Sequence, residues 1–389
     1  MEIRSPRYLN DKKIPLKIMR ILRRKSKVVK IGNVYIGGDN PVVIQSMTKT
    51  RTADVKETVK QIIKLQKIGC EIVRLAIRDF KDARAIKKIR PRVGIPLVAD
   101  IHFDWRLALE AIDSGVDKIR LNPGNIYRKN QIREVVKAAR LNGIPIRVGV
   151  NSGSLRSRQG HQSHQSQADT MVKSALDYIK ILEGLKFHDI VISLKGSDIF
   201  DTIEAYRQIA TRCDYPMHLG VTATGAPYMG TIKSSIGLGV LLLEGIGDTV
   251  RVSLTDRPQE EVRAARAILA ALGLRNFGPE IISCPTCGRC EVDLVKIVKD
   301  LETKLSTIPA TKSGWSAKHF GGDYRLSTRP PKVAVMGCVV NGPGEARGAD
   351  VGVAFGRKEG LLFKNALPLR KVSLNNCINY LLKEGNLNV

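Results

Sequence analysis

The chain has 389 residues, and its 64 Lys and Arg against 37 Asp and Glu give a formal net charge of +27, which predicts an anionic partner. A hydrophobic share of 43% with a mean hydropathy of −0.11 excludes a disordered or fibrous protein. No apolar run reaches the roughly 18 to 20 residues of a membrane helix, and no secretory signal is recognisable, so we expect a cytoplasmic protein without a membrane partner.

The first thirty residues are strongly basic, since their only acids are Glu2 and Asp11. A basic arm of this kind can bind nucleic acid by neutralising phosphates. No groove-reading motif accompanies the charges. We therefore predict a solvated and partly disordered N-terminal extension over residues 1–30, and we do not expect a nucleic-acid partner.

Short runs rich in Val, Ile and Leu then recur eight times, separated by stretches long enough for a helix, such as 55–68 and 106–114. Strands that alternate with helical patterns indicate βα units and a parallel sheet. An open doubly wound sheet would usually carry a glycine fingerprint after its first strand, and none is visible. The pattern predicts a TIM-like (β/α)₈ barrel over residues 31–275. The eight runs are 42–44, 72–73, 96–98, 118–121, 144–148, 190–194, 217–221 and 249–252.

Most of these predicted strands carry polar or charged residues at their ends. An arginine in a parallel barrel strand is costly to desolvate unless an anion or a hydrogen-bonding group meets it. The carboxyl ends of barrel strands form the catalytic mouth, so we predict a cavity there for a small substrate with several negative charges, such as a diphosphate. His102 follows Asp100 by two residues, which places both side chains on the same side of the mouth. The basic strand-end residues are Arg74, Arg120, Arg147, Lys195 and Arg251.

A cysteine-rich module begins after residue 275, where Cys284, Cys287 and Cys290 precede a distant Cys338. Such spacing favours a metal centre in a reducing compartment over a disulfide framework. A zinc knuckle would show two paired couples, and iron–sulfur is therefore favoured. Two ligand sets stay open on spacing alone. Either all four cysteines bind as in ferredoxins, or three bind and leave one iron for an oxygen ligand such as Glu345.

Five long motifs resemble those of bacterial 4-hydroxy-3-methylbut-2-enyl diphosphate synthases, which are iron–sulfur enzymes of the non-mevalonate isoprenoid pathway. The resemblance covers roughly residues 31–389. It implies a TIM-like barrel followed by a smaller α/β [4Fe–4S] cluster domain over residues 276–389, in a homodimer in which the cluster of one subunit closes over the barrel mouth of the other. The motifs are IQSMT at 44–48, VADIHF at 98–103, NPGNI at 122–126, CPTC at 284–287 and MGCVVNGPGE at 336–345.

The resemblance also implies a reaction and its residues. The substrate is 2-C-methyl-D-erythritol 2,4-cyclodiphosphate, which is reductively opened and dehydroxylated with electrons from reduced flavodoxin or ferredoxin. The cluster ligands implied are Cys284, Cys287, Cys338 and Glu345, and Cys290 is set aside. Glu345, which would leave its iron when a substrate oxygen binds there, and His102 are the implied catalytic residues. The implied substrate-binding residues are Arg74, Arg120, Arg147, Asn151 and Lys195.

Three features depart from the family pattern. The family usually reads Thr-Glu-Ala-Gly after the seventh strand, whereas this chain has Ala223 at the position of the glutamate. His102 is then a candidate proton donor to the leaving hydroxyl. The extension 1–30 and an insert at about 309–331 are the other two.

Two rival functions remain at this stage. A basic zinc-ribbon nucleic-acid binder fits the charge and the cysteine pairs, but it does not explain eight strands with charged ends. An electron carrier with four cysteine ligands predicts that Cys290 is essential and that Glu345 is dispensable.

Overall fold

A computed structural model of the chain describes residues 21–155, 166–306, 331–339, 344, 346–357 and 359–387. The chain divides into two compact units, with the boundary between Ile268 and Leu269. In the described part of the chain, no helix combines the length and apolar character needed to cross a membrane.

An antiparallel hairpin precedes the barrel, formed by β1 (Val29–Ile31) and β2 (Val34–Ile36). Its buried side chains pack against residues at the amino-terminal ends of four barrel strands, so the hairpin closes the end of the barrel opposite the mouth. The contacting residues are Val29, Ile31 and Ile36 from the hairpin and Val43, Ile72, Val98 and Val191 from the barrel.

The segment just before the hairpin is attached to the barrel, which differs from the solvated extension expected for residues 1–30. Arg23 donates to Gly247 O at 3.0 Å and to Asp248 Oδ1 at 2.9 Å. Arg24 donates to two backbone carbonyls, at 2.8 and 2.5 Å. The planar guanidinium groups thus satisfy several oxygens at once. Residues 1–20 lie outside the described part of the chain.

Eight parallel strands form the barrel, in the order β8-β7-β6-β5-β4-β3-β10-β9. A parallel bridge between Ile192 and Met217 joins the two ends of this sheet. The predicted (β/α)₈ barrel is therefore confirmed. Its last two strands are shorter than predicted, and β9 ends just before Gly220. The strands are β3 (Val43–Met47), β4 (Ile72–Ile77), β5 (Leu97–Ile101), β6 (Lys118–Leu121), β7 (Ile146–Asn151), β8 (Ile190–Lys195), β9 (His218–Leu219) and β10 (Thr249–Val250).

Helices follow the barrel strands, and several begin at an acidic or hydroxyl cap. Asp54, Asp79 and Asp198 each accept from a backbone N–H three residues later, which stabilises the first turn. Ser166 and Asp169 form a capping box. The helices are α1 (Val55–Lys67), α2 (Phe80–Ile89), α3 (Arg106–Asp113), α4 (Lys129–Leu141), α5 (Gln167–Gly184), α6 (Ile199–Ala210), α7 (Pro227–Leu243) and α8 (Pro258–Ala271).

The second unit is a five-stranded mixed sheet with helices packed on it, as predicted for a smaller α/β domain. Its first three strands are parallel and its last two antiparallel, in the order β11-β12-β13-β14-β15. Leu301 of the first helix and Leu381 of the second pack with Val333, Val353 and Phe355 of the sheet. The elements are β11 (Glu280–Ser283), α9 (Leu294–Ser306), β12 (Lys332–Met336), β13 (Val351–Phe355), β14 (Glu359–Lys364), β15 (Leu367–Ser373) and α10 (Cys377–Glu384).

Candidate active site at the barrel mouth and the cysteine loops

Asp100 on β5 is the anionic centre of a basic cluster inside the barrel. Its carboxylate lies 3.1 Å from Arg120 Nη1, 3.6 Å from Arg74 Nε and 3.2 Å from His102 Nε2. The strand register aligns Asp100 with Arg120 and Arg120 with Arg147, which places the three residues at one level. Burial would raise the pKa of Asp100, but Arg74, the hydrogen bond from His102 and Arg120 hold it well below its usual range.

Replacing Asp100 with Asn should lower the free energy of unfolding by about 3 kcal/mol at pH 7, because the buried Arg120 and the partly buried Arg74 lose their counterion. The folded-state pKa of Asp100 is depressed, so its contribution is fully present above the unfolded value of about 3.9. That contribution disappears as pH falls through the folded value. Urea denaturation at several pH values measures it, with the exposed Asp113→Asn as the control. An unchanged Asp100→Asn protein at pH 7 would contradict this electrostatic account.

Arg147 on β7 is a buried cation with unused hydrogen-bond donors. The residue is 1% exposed, and neither its Nε nor its Nη1 has a hydrogen-bond partner. Burial, followed by the charges of Arg74 and Arg120, holds the pKa of Arg147 well below its usual range. Unpaired donors in a low-dielectric site are costly, and an anion that accepts from them recovers that cost.

Lys195 on β8 and His218 on β9 form a second buried cluster. Lys195 Nζ lies 3.2 Å from His218 Nε2, and His218 Nδ1 lies 2.7 Å from Thr249 Oγ1. Burial and the neighbouring cations lower the pKa of Lys195 and of His218 well below their usual values. The sequence places His218 only at a strand end, and its contact with Lys195 becomes visible with the closure of the barrel.

Lys118 at the start of β6 is a further buried cation that the sequence reasoning missed as a site residue. Its Nζ lies 3.5 Å from Gln45 Oε1, and burial, Arg147 and Arg74 lower its pKa well below its usual value. The sequence did contain a signal, namely a lysine inside an apolar strand. Burial of its charge is costly for the same reason as burial of the arginines.

Two glycines, Gly149 in β7 and Gly220 just after β9, make room for the long basic side chains. A Cβ on Gly149 would lie 2.5 Å from Arg120 Nε, and a Cβ on Gly220 would lie 2.5 Å from Lys195 Nζ. Because real Cβ atoms do not approach so closely, any other residue would displace these side chains. The two glycines therefore position Arg120 and Lys195.

Glu261 on α8 supplies the second carboxylate, and sequence reasoning missed it because it lies on a helix. Its oxygens lie 3.1 Å from Lys49 Nζ and 3.8 Å from Arg251 Nη2, and it also accepts from Ser46 Oγ at 3.4 Å. Burial and then Arg74 lower the pKa of Arg251 to about 10. The carboxylate thus connects β3, β10 and α8.

Three other predicted positions lie near the opening. The Asn151 side-chain oxygen accepts from Arg120 Nη2 at 3.3 Å in the amide orientation that satisfies both groups. The His102 side chain is 46% exposed, so it reaches the solvent side of Asp100. Ala223 is exposed on the loop after β9 with a φ of 51°, and Thr224 beside it donates to Ser253 O at 2.6 Å.

The barrel mouth therefore concentrates positive charge that its own carboxylates do not balance. Asp100 and Glu261 face a larger set of buried cations, and a small polyanion would supply the missing charge. The buried basic residues are Lys118, Arg120, Arg147 and Lys195, and Arg74 and Arg251 are partly buried beside them.

In the second unit, the loops that follow two neighbouring parallel strands carry the cysteines. Ser283 at the end of β11 pairs with Val335 near the end of β12, so the loops that start at Cys284 and Gly337 leave the same edge of the sheet. Gly337 N donates to Cys284 Sγ at 3.3 Å. This hydrogen bond holds the Cys284 sulfur beside the start of the second loop.

The Cys290 thiol has a hydrogen-bond acceptor of its own, and the residue packs against the core of the unit as Cys284 does. Cys290 Sγ donates to Val292 O at 3.2 Å. A Cβ on Gly337 would lie 2.4 Å from this sulfur, so Gly337 makes room for it. These contacts account for Cys290 without a metal.

The donor chemistry of these loops fits an iron–sulfur group, because all the cysteines are free thiols and thiolates are the usual ligands. Within the described ranges, however, no group of three or more His, Cys, Asp or Glu side chains is assembled around one metal position. Glu345 lies outside the described residues. The ligand set therefore stays a prediction.

Comparisons with known proteins match both units. Residues 26–266 match a family model described as the GcpE TIM-barrel domain, and residues 280–386 match the GcpE protein C-terminal domain. A relative from Fusobacterium nucleatum is 49% identical over 93% of this chain and 97% of its own length. Another from Clostridium perfringens is 51% identical over 93% of this chain and 98% of its own. Both bear the name 4-hydroxy-3-methylbut-2-en-1-yl diphosphate synthase (flavodoxin).

Proposed function

The chain belongs to the GcpE family, and on that premise we propose that it is a 4-hydroxy-3-methylbut-2-en-1-yl diphosphate synthase of the non-mevalonate isoprenoid pathway. The reaction opens the ring of 2-C-methyl-D-erythritol 2,4-cyclodiphosphate at a carbon–oxygen bond. It consumes two electrons, and a hydroxyl leaves as water after taking up a proton. The observation that carries the proposal is the buried and unpaired Arg147 at a basic barrel mouth, in a chain that matches the synthases along nearly its whole length.

The basic mouth would bind the diphosphate of the substrate. Arg120 and Arg147 lie at one level on neighbouring strands, and Lys195 lies on the next strand, β8, where it contacts His218. Arg74 and Asn151 complete the proposed substrate-binding set. Diphosphate oxygens would accept from the free donors of Arg147, which replaces lost hydration with charge-assisted hydrogen bonds.

The family consists of iron–sulfur oxidoreductases, and we assign a [4Fe–4S] cluster to Cys284, Cys287, Cys338 and Glu345. When bound, the cluster supplies electrons one at a time. Support comes from the shared sheet edge of the two cysteine loops and from the N–H bond to Cys284. The names of the relatives include flavodoxin, and we propose reduced flavodoxin as the electron donor, with ferredoxin as the alternative.

Exposed apolar side chains at the rim of the mouth support a homodimer. Phe103 is 78% exposed, Phe200 81% and Tyr228 78%, and each follows the carboxyl end of a barrel strand. Large exposed aromatics of this kind favour contact with another protein surface. In the proposed dimer, the cluster domain of a second copy covers this rim and excludes water.

His102 is the proposed proton donor to the leaving hydroxyl. It is half exposed at the opening, and the hydrogen bond between its Nε2 and Asp100 orients the ring. No carboxylate stands at position 223, where the loop after β9 has Ala. His102 therefore has this role without help from that loop.

A carboxyl group at position 223 should accelerate the reaction. We expect Ala223→Glu to raise kcat about tenfold, a small part of the roughly 10² to 10⁴ that a well-placed general acid supplies. Steady-state kinetics measure this effect. Ala223→Gln is the matched control, because it has the same size and no acidic proton, and it should give no gain. Equal rates for the Glu and Gln variants would refute a proton-transfer role at this position.

Anaerobic purification followed by iron, sulfide and zinc analysis tests the cofactor. We expect a brown protein with equal amounts of iron and sulfide. A colourless chain loaded with zinc would overturn the proposal and favour a zinc-ribbon protein.

A further inference from the structure

His218 is a buried histidine at the mouth that the proposed function leaves without a role. It is 0% exposed and lies between Lys195 and Thr249, at 3.2 and 2.7 Å. The hydroxyl of Tyr206 donates to the His218 backbone oxygen at 2.5 Å. Both the ring and the backbone of His218 are therefore held in place.

The hydrogen bonds from Lys195 through His218 to Thr249 all point in one direction. When an anion in the mouth keeps Lys195 charged, the ammonium offers only hydrogens, so His218 Nε2 accepts and its Nδ1–H donates to Thr249 Oγ1. Burial, followed by the charges of Lys195, Arg147, Lys118 and Arg74, lowers the pKa of His218 well below its usual value. The neutral ring accepts from the lysine without adding another positive charge.

Lys195 depends on this acceptor, because its other charged neighbours are cations. Arg251, Arg147, Arg74 and Arg120 all lower its pKa, after burial. In the described part of the chain, no carboxylate lies within ion-pair distance of Lys195. A residue larger than Gly220 would displace its Nζ. The space left by Gly220 and the acceptor on His218 thus define the position of the Lys195 ammonium.

We infer that His218 is a positioning residue that, held by Thr249, fixes Lys195 so that its ammonium meets the diphosphate of the substrate. The inference deepens the proposed function and rests on it, since that function places a diphosphate in the mouth. The accepting ring also favours the charged form of Lys195. Loss of the ring should therefore weaken anion binding and lower the pH at which binding is lost.

Calorimetric titration of the full-length chain with inorganic pyrophosphate, from neutral to alkaline pH, provides the test. We expect His218→Phe to weaken binding roughly tenfold and to move the alkaline loss of affinity to lower pH. Thr249→Val should act in the same direction with a smaller effect, because the ring loses its anchor. Thr249→Ser keeps the hydroxyl and should keep both the affinity and the pH profile of the parent chain.

The comparison of Thr249→Val with Thr249→Ser still tests the inference if His218→Phe fails to fold. In a Lys195→Met background, Thr249→Val should have no further effect on binding, as expected for groups that act through one another. Tyr206→Phe loses two backbone contacts, to His218 O and from Leu194 N, and leaves the His218 ring bonds in place, so it should leave the pH at which affinity is lost unchanged.

Equal behaviour of Thr249→Val and Thr249→Ser, or a Thr249→Val effect that persists without Lys195, would overturn the inference alone. A parent chain that does not bind pyrophosphate would overturn the diphosphate assignment and the inference with it.

Discussion

Replacing Arg147 with Met is expected to lower kcat/KM for the cyclic diphosphate about 100-fold, mainly through KM. Arg147 offers unpaired donors on Nε and Nη1 in a site that excludes water. Truncation of a buried charged partner costs about 2 to 5 kcal/mol of binding, and about 1.4 kcal/mol corresponds to a factor of ten. Because Arg147 would bind the ground state and the transition state equally, its loss should raise KM and leave kcat nearly unchanged.

The same substitution should stabilise the free protein. Methionine fills a similar volume and removes a buried cation that faces Arg74 and Arg120. Replacement of buried charge by apolar volume stabilises by about 1 to 4 kcal/mol, and urea denaturation measures the change. Arg133→Met is the matched control, because Arg133 is exposed on α4, and it should change neither quantity. A less stable Arg147→Met protein with full kcat/KM would instead assign Arg147 a structural role.

Among the cysteines, Cys338→Ser is expected to abolish the cluster, whereas Cys290→Ser is expected to retain it. Cys338 lies on the loop after β12, beside Gly337, whose N–H reaches Cys284 Sγ. Cys290 is directed to Val292 O and the core of its unit. Iron should therefore fall from about four atoms per chain to nearly none in Cys338→Ser, with loss of the brown absorption, and stay near four in Cys290→Ser.

The two serine variants are matched in chemistry and differ only in position, which makes each a control for the other. Glu345→Ala should damage the cluster more than Cys290→Ser does. The opposite order, with the cluster lost in Cys290→Ser and retained in Glu345→Ala, would contradict the ligand set and favour a four-cysteine electron carrier.

Much of the fold could be predicted from the sequence, because apolar runs recur with helix-length stretches between them, as expected for repeated βα units. The comparisons confirm the family resemblance and the barrel. Strand length was less predictable. The runs at 217–221 and 249–252 predict strands of five and four residues, yet β9 and β10 each have two residues. The backbone beyond Leu219 instead leaves room for Lys195 at Gly220.

The site was predictable only as a set of strand-end residues. Periodicity places Asp100 and His102 on one side, and the structure brings Arg74 and Arg120 to the same carboxylate. The contact between Lys195 and His218, and the role of Glu261 on α8, depend on barrel closure and strand register. Neither is encoded in the local pattern of the chain, because each joins elements that are distant in sequence.

Turnover of 2-C-methyl-D-erythritol 2,4-cyclodiphosphate by the anaerobically purified full-length chain, with reduced flavodoxin, tests the central claim most directly. We predict stoichiometric formation of 4-hydroxy-3-methylbut-2-enyl diphosphate, detected by mass spectrometry, and its loss when flavodoxin is left oxidised. A brown, iron-loaded chain that binds the cyclic diphosphate and forms no product with the reductant present would contradict the assignment of this activity.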